Sequence, residues 1–250
     1  MKTTFVQGLC LLAFASLAAA TNSVKFINKC PYPIYFWTVG PGGSKIPAED
    51  HDRNEVPADS TVVHEMLNTE YLGGGMSIKI RDFPWYQVAP AGIIQVEYNL
   101  EPSRGAMWYD LSAIDCDRSV GPNHPLFCPL IGGGMSLYVP GTEEGACPPA
   151  WCANGHCVNT YEEHGSWYGE PSSMCWAGAD IHVETCTHEV GPHTFQGQEL
   201  TTSTDGTCAR STGYTCAGSI FGDCCSQYGF CGSSPDYCYT GCQGEYGICP

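Results

Sequence analysis

The feature that most restricts this chain is its sulfur. Of 17 cysteines in 250 residues, Cys10 lies in an apolar N-terminal run and the other 16 form two sets of eight. Cys30, Cys116, Cys128, Cys147, Cys152, Cys157, Cys175 and Cys186 make up the first set, and Cys208, Cys216, Cys224, Cys225, Cys231, Cys238, Cys242 and Cys249 the second. Between them Thr187 to Thr207 carries no cysteine and no periodic apolar pattern, so it reads as a linker with frayed ends. An even count on each side lets each set close its own bridges in an oxidising compartment.

The N-terminus agrees with that compartment. Lys2, an apolar run from Leu9 to Ala20 and the small residues Ala18-Ala19-Ala20 have the layout of a signal peptide, expected to span 1–20. The run is too short to span a bilayer, so no membrane partner is expected and the protein should be secreted, extracellular or in a cell wall. Its 10 Lys+Arg against 26 Asp+Glu repel phosphate backbones and anionic lipid, which argues against nucleic acid. A neutral polysaccharide is indifferent to that charge.

Thirty glycines and 18 prolines point to short strands and many turns. Strand-like segments occur at 24–27, 34–37, 61–64, 76–80, 93–100, 108–114, 136–139 and 180–184, with alternation that favours a mainly β fold, an antiparallel β-sandwich. Two Gly-Gly-Gly-Met-Ser strings, at Gly73 and Gly132, lack the Lys-Ser/Thr of a phosphate loop.

From Cys208 the spacing is C-x7-C-x7-C-C-x5-C-x6-C-x3-C-x6-C, eight cysteines in 42 residues with few aliphatic side chains. So small a unit needs bridges to hold it, although spacing alone leaves all 105 pairings open. The string Cys224-Cys225-Ser226-Gln227-Tyr228-Gly229-Phe230-Cys231, with Tyr237-Cys238 and Cys242 to Cys249, resembles the hevein-type chitin-binding domain. That resemblance implies the bridges Cys208–Cys225, Cys216–Cys231, Cys224–Cys238 and Cys242–Cys249. It also implies that Tyr228, Phe230 and Tyr237 stack on N-acetylglucosamine rings while the Ser226 hydroxyl bonds the acetamide carbonyl. An aromatic face suits the axial C–H groups of a pyranose. Alternation around Gly229 in an extended backbone would send the Tyr228 and Phe230 rings to one side.

The opening Val24-Lys25-Phe26-Ile27-Asn28-Lys29-Cys30 resembles the first strand of thaumatin-like proteins, and Gly92 to Leu100 with Tyr109 to Asp115 is similar to the strands flanking that family's acidic cleft. Val183 to Cys186 resembles its last strand, which implies Cys30–Cys186. By the same resemblance the cleft residues are Arg81, Glu97, Asp110 and Asp115, and the size fits the short fungal members, including the yeast-phase-specific secreted type. Thirteen residues separate Glu97 from Asp110, which is compatible with adjacent antiparallel strands. Such a pair binds glycan, serves as acid and base in hydrolysis at a separation the sequence does not supply, or forms an ordinary solvated acidic face with a structural role.

Cys147, Cys152 and Cys157 lack a CxxC pair, so disulfides are expected and no metal or other cofactor. Trp151, Trp167 and Trp176 read as packing ahead of a second sugar platform. The resulting organisation is a signal peptide at 1–20, a thaumatin-like sandwich at 21–190, a linker at 191–204 and a small disulfide-rich hevein-like module at 205–250. The expected function is non-catalytic, lectin-like binding of chitin or chitooligosaccharides at a fungal cell wall. The alternative is a chitin-anchored protein that binds or hydrolyses β-1,3-glucan.

Overall fold

The computed structural model describes residues 22–249 apart from 43–52, 83, 85–91, 121–123, 125, 144, 166–168, 189–192, 196–197, 210 and 245. The expected signal segment and Trp167 lie outside the described residues. Strands and helices are numbered along the chain. One large sheet runs, edge to edge, β10 (His156–Val158), β9 (Ala150–Ala153), β8 (Met135–Tyr138), β13 (Ile181–Thr185), β1 (Ser23–Asn28) and β4 (Ser60–Glu65). The other runs β11 (Thr160–Tyr161), β7 (Ala106–Asp115), β6 (Ile93–Glu101), β5 (Met76–Arg81), β2 (Ile34–Val39) and β3 (Asn54–Val56), with β12 (Ser173–Trp176) also paired to β7. Within these two sheets pairing is antiparallel except for β1 with β13 and β7 with β11. A one-turn helix, α1 (Pro129–Gly132), precedes β8.

Period-two alternation explains why the sheets stack. Val24 and Phe26 of β1, Ile78 and Ile80 of β5, Val96 of β6 and Leu111 of β7 are buried in one core. Across the sheets, the Phe26 and Phe36 rings stack with centroids 4.3 Å apart. The same parity turns Ser77, Lys79, Gln95, Glu97, Asp110 and Ser112 to the opposite face of the second sheet.

Asn28 breaks the apolar alternation of β1 from inside. Its Nδ2 lies 2.9, 3.1 and 3.0 Å from the carbonyls of Tyr32, Val56 and Pro57, while its Oδ1 accepts from Cys30 N at 3.0 Å and Thr185 Oγ1 at 2.9 Å. Immediately beyond, Cys30–Cys186 ties the ends of the parallel pair β1 and β13 across 156 residues of chain. In the chain-entropy model a loop of that size is worth roughly 5 kcal/mol. Cys116–Cys128, Cys147–Cys175 and Cys152–Cys157 complete this half.

The C-terminal module contains β14 (His193–Phe195), β15 (Gln198–Thr202), β16 (Tyr214–Thr215), a hairpin of β17 (Cys224–Cys225) and β18 (Cys231–Gly232), and one turn of helix, α2 (Pro235–Cys238). Its bridges are Cys208–Cys225, Cys216–Cys231, Cys224–Cys238 and Cys242–Cys249. The expected linker at 191–204 is corrected: β15 pairs in parallel with β16, and Leu200 is buried among Cys208, Cys216, Cys225, Cys231 and Tyr246. Among the described residues, the module draws its one large aliphatic core residue from that polar stretch. The module touches the sandwich where Arg53 Nη2 donates to the Cys249 carbonyl at 3.4 Å and where Gly218 lies against Pro31 and Tyr32. Among the described residues no helix is long and apolar enough to cross a membrane.

Replacing Asn28 by Ala leaves two donors and several carbonyls buried without their partner. The expected loss is about 3 kcal/mol in urea unfolding. Asn28→Asp, which keeps the shape but not the donors, should fail to restore it.

Candidate functional site

Two places gather the chemistry. In the C-terminal module the hairpin β17–β18 is closed by a tight reversal: Gly229 N donates to the Ser226 carbonyl and Ser226 N to the Phe230 carbonyl, both at 2.9 Å. Gly229 has φ +77°, and a Cβ there would lie 2.8 Å from the Cys208 carbonyl oxygen. Both demands restrict the position to glycine. The backbone from Ser226 to Phe230 is thus a turn with a left-handed glycine, which corrects the extended conformation expected from the sequence.

That turn leaves Tyr228 78 % and Phe230 53 % exposed. Ser226 is buried at 4 %, and its Oγ accepts from Phe230 N at 3.3 Å, which leaves the hydroxyl proton available to donate. Gln243 braces the turn from behind, its Nε2 donating to the Ser226 carbonyl at 2.7 Å. Tyr237, on α2, rests on Gly232 of β18, where an added Cβ would lie 2.4 Å from the ring Cγ. Glycine at 232 therefore sets the height of that ring. Tyr239, singled out by no sequence argument, is also exposed. The sulfurs of Cys208, Cys216 and Cys225 lie close together, but each is held in a disulfide.

The second place is a cavity of about 450 Å³ on the outer face of β5, β6 and β7, lined in part by Ser77, Lys79, Gln95, Glu97, Trp108 and Asp110. Ser77, Glu97 and Asp110 form one cross-strand row; Lys79, Gln95 and Ser112 form the next. Gln95 Oε1 accepts from Ser77 Oγ at 2.9 Å and from Lys79 Nζ, and Gln95 Nε2 donates to Asp115 Oδ2 at 3.0 Å. Parity along β7 would send Asp115 to the opposite face from Asp110. A register shift between Ile93 and Gln95 adds one residue on β7 and restores Asp115 to the polar side.

The four residues expected in the cleft are therefore not one cluster. Glu97 and Asp110 share the cavity, whereas Asp115 lines a neighbouring one of about 430 Å³ with Arg118, Glu162 and His164. Arg81 is buried in a separate crevice beside Asp82, Gly92 and Leu130. Among the described residues, the cation lining the cavity is Lys79, which sequence reasoning missed. Its polar place in the alternating string Met76 to Ile80 was visible, but its partner Gln95 depends on register.

Burial raises Glu97, opposed by Lys79, and lowers Lys79 itself against the pull of Asp115 and Glu97. Asp110 is pushed up to about 7, first by burial and then by Glu97 and Glu170. Its Oδ1 is buried with no hydrogen-bond partner among the described residues. With its folded pKa above the ordinary carboxylate value, Asp110 ionises at a cost to the fold. Its favourable contribution is complete below about pH 4 and disappears as the pH rises through about 7. The Tm of Asp110→Asn should accordingly fall less than that of the parent protein between about pH 5 and about pH 8, as followed by calorimetry.

A lytic polysaccharide monooxygenase of family AA9 from Botryotinia fuckeliana is 36 % identical over 110 residues, 40 % of this chain and 25 % of that one. The non-secreted LysM effector LCP1 of Gibberella moniliformis is 62 % identical over 47 residues, 19 % of this chain and 6 % of its own. A chitin deacetylase of a Pestalotiopsis species is 51 % identical over 47 residues, 19 % of this chain and 15 % of its own. The chain thus spans a quarter or less of these relatives. Among solved structures, the elicitor MoHrip2 of Magnaporthe oryzae aligns over 66 % of this chain and 99 % of its own, at a TM-score of 0.45 and 13 % identity. The model of one family matches residues 11–187, which take in the whole two-sheet region, and the chain belongs to that family, Bys1, the Blastomyces yeast-phase-specific protein.

Proposed function

We propose that this is a secreted, non-catalytic binder of chitin and its oligomers, acting at a fungal cell wall through a hevein-type C-terminal module. The observation that supports the reading is the clamped hairpin, which leaves Tyr228 and Phe230 exposed on the turn that also carries Ser226, while Tyr237 rests on Gly232 of its second strand. Exposed rings on a rigid base lose little entropy on meeting a sugar face, and the hydroxyl is a donor for an acetamide carbonyl. The name of the chitin deacetylase relative fits a module directed at chitin. A shallow, wet site of this kind binds weakly, with Kd on the order of 0.1 to 1 mM.

The second reading assigns the sandwich cavity to β-1,3-glucan, and the buried carboxyl row of Glu97 and Asp110 favours it as a set of acceptors for sugar hydroxyls. Burial raises both carboxyls, Asp110 to about 7, and whether the pair also hydrolyses is decided by assay on laminarin.

Full-length protein should be retained on chitin beads, and Tyr228→Ala/Phe230→Ala should weaken retention tenfold or more with its Tm unchanged. Full retention of the double variant would overturn the assignment. Laminarin should yield no reducing sugar with this protein. Release that Glu97→Gln abolishes would refute the non-catalytic reading.

A further inference from the structure

The outer face of the second sheet does not end at the cavity. Register carries it onward, because Asn99, Trp108 and Met174 are cross-strand neighbours on β6, β7 and β12, and Ala106 and Trp176 form the next row. Met174 is 59 % and Trp176 50 % exposed. Large apolar side chains at successive outward positions of one strand are unusual unless something covers them. The Trp176 ring is supported from one side by Gly178, where an added Cβ would lie 3.5 Å from the indole Cδ1. Between this strand and the cavity stands Trp108, with the Arg104 guanidinium 5.5 Å from its ring centroid and Arg104 held by Glu101 at 2.9 Å.

We propose that Met174 and Trp176 form a shelf that continues the cavity past Trp108, and that a linear neutral polysaccharide lies along the two. The occupant follows from the chemistry on that face. Successive rows are about 7 Å apart along the strands and place an indole, a thioether and a guanidinium beside a buried carboxyl row. A pyranose chain offers apolar C–H faces to the first two and hydroxyls to the others. The net charge of −16 disfavours a polyanion, and a peptide strand would not need the carboxyls. The proposal rests on the cavity's assignment to a neutral glycan and is independent of the chitin module.

Affinity electrophoresis through gels containing laminarin or xylan tests it, with Tyr228→Ala/Phe230→Ala as the background so that the C-terminal module is silent. Laminarin is a β-1,3-linked glucose polymer and xylan a β-1,4-linked xylose polymer, so the two gels offer two neutral pyranose backbones. Retardation by at least one is expected, with Kd raised about tenfold by Trp176→Ala, largely restored by Trp176→Phe, and Tm unaffected. If Glu97→Gln weakens binding and Trp176→Ala does not, the cavity reading survives and the shelf is overturned. Retardation by neither polymer overturns both. A Tm lowered by Trp176→Ala, with no effect on Kd, assigns the ring to packing and also overturns the shelf.

Discussion

The C-terminal module exists because sulfur replaces hydrocarbon. Its core consists of Leu200, Tyr246 and four half-cystines, far too little apolar area to oppose the entropy of ordering the chain. Covalent closure restricts the unfolded ensemble instead. Because the bridges supply cohesion, the aromatic side chains are released from the interior, and Tyr228 and Phe230 can stand in water without the module losing its centre. The display of rings is thus a consequence of how the module is held together.

The larger half solves a different problem. Its two sheets have ample apolar alternation, yet their relative placement is reinforced by one buried amide. Asn28 joins β1 to the loop at Tyr32, to the end of β3 and to Thr185 on β13, next to the Cys30–Cys186 bridge. A fully satisfied polar hub of this kind specifies a single arrangement, since any slip of register leaves its partners dry and unpaired. The same strictness of register sets Glu97 opposite Asp110 on the far side of the sheet.

Much of this was legible in advance. Alternation located eight of the strands, since Val24, Phe26, Ile78 and Val96 each mark a buried face. Composition also foretold short strands and abundant turns. Less visible were β9 to β12, only two to four residues each, whose positions depend on pairing and bridges and not on periodicity. Leu200 lay in a polar stretch with no pattern to reveal that it was core. Arg81 carried the right chemistry for a cleft but lies in a separate crevice, and Asp115 reaches Gln95 only because a bulge restores its face; neither outcome is written in spacing. Lys79 and Gln95 entered the cavity by the same logic.

The pairing of Gln198–Thr202 with Tyr214–Thr215 alters how the protein would behave under tension. A load applied to the C-terminal module would meet Gln198–Thr202 as a laddered strand, so it would be shared between β15 and β16 and not carried by a single extended segment.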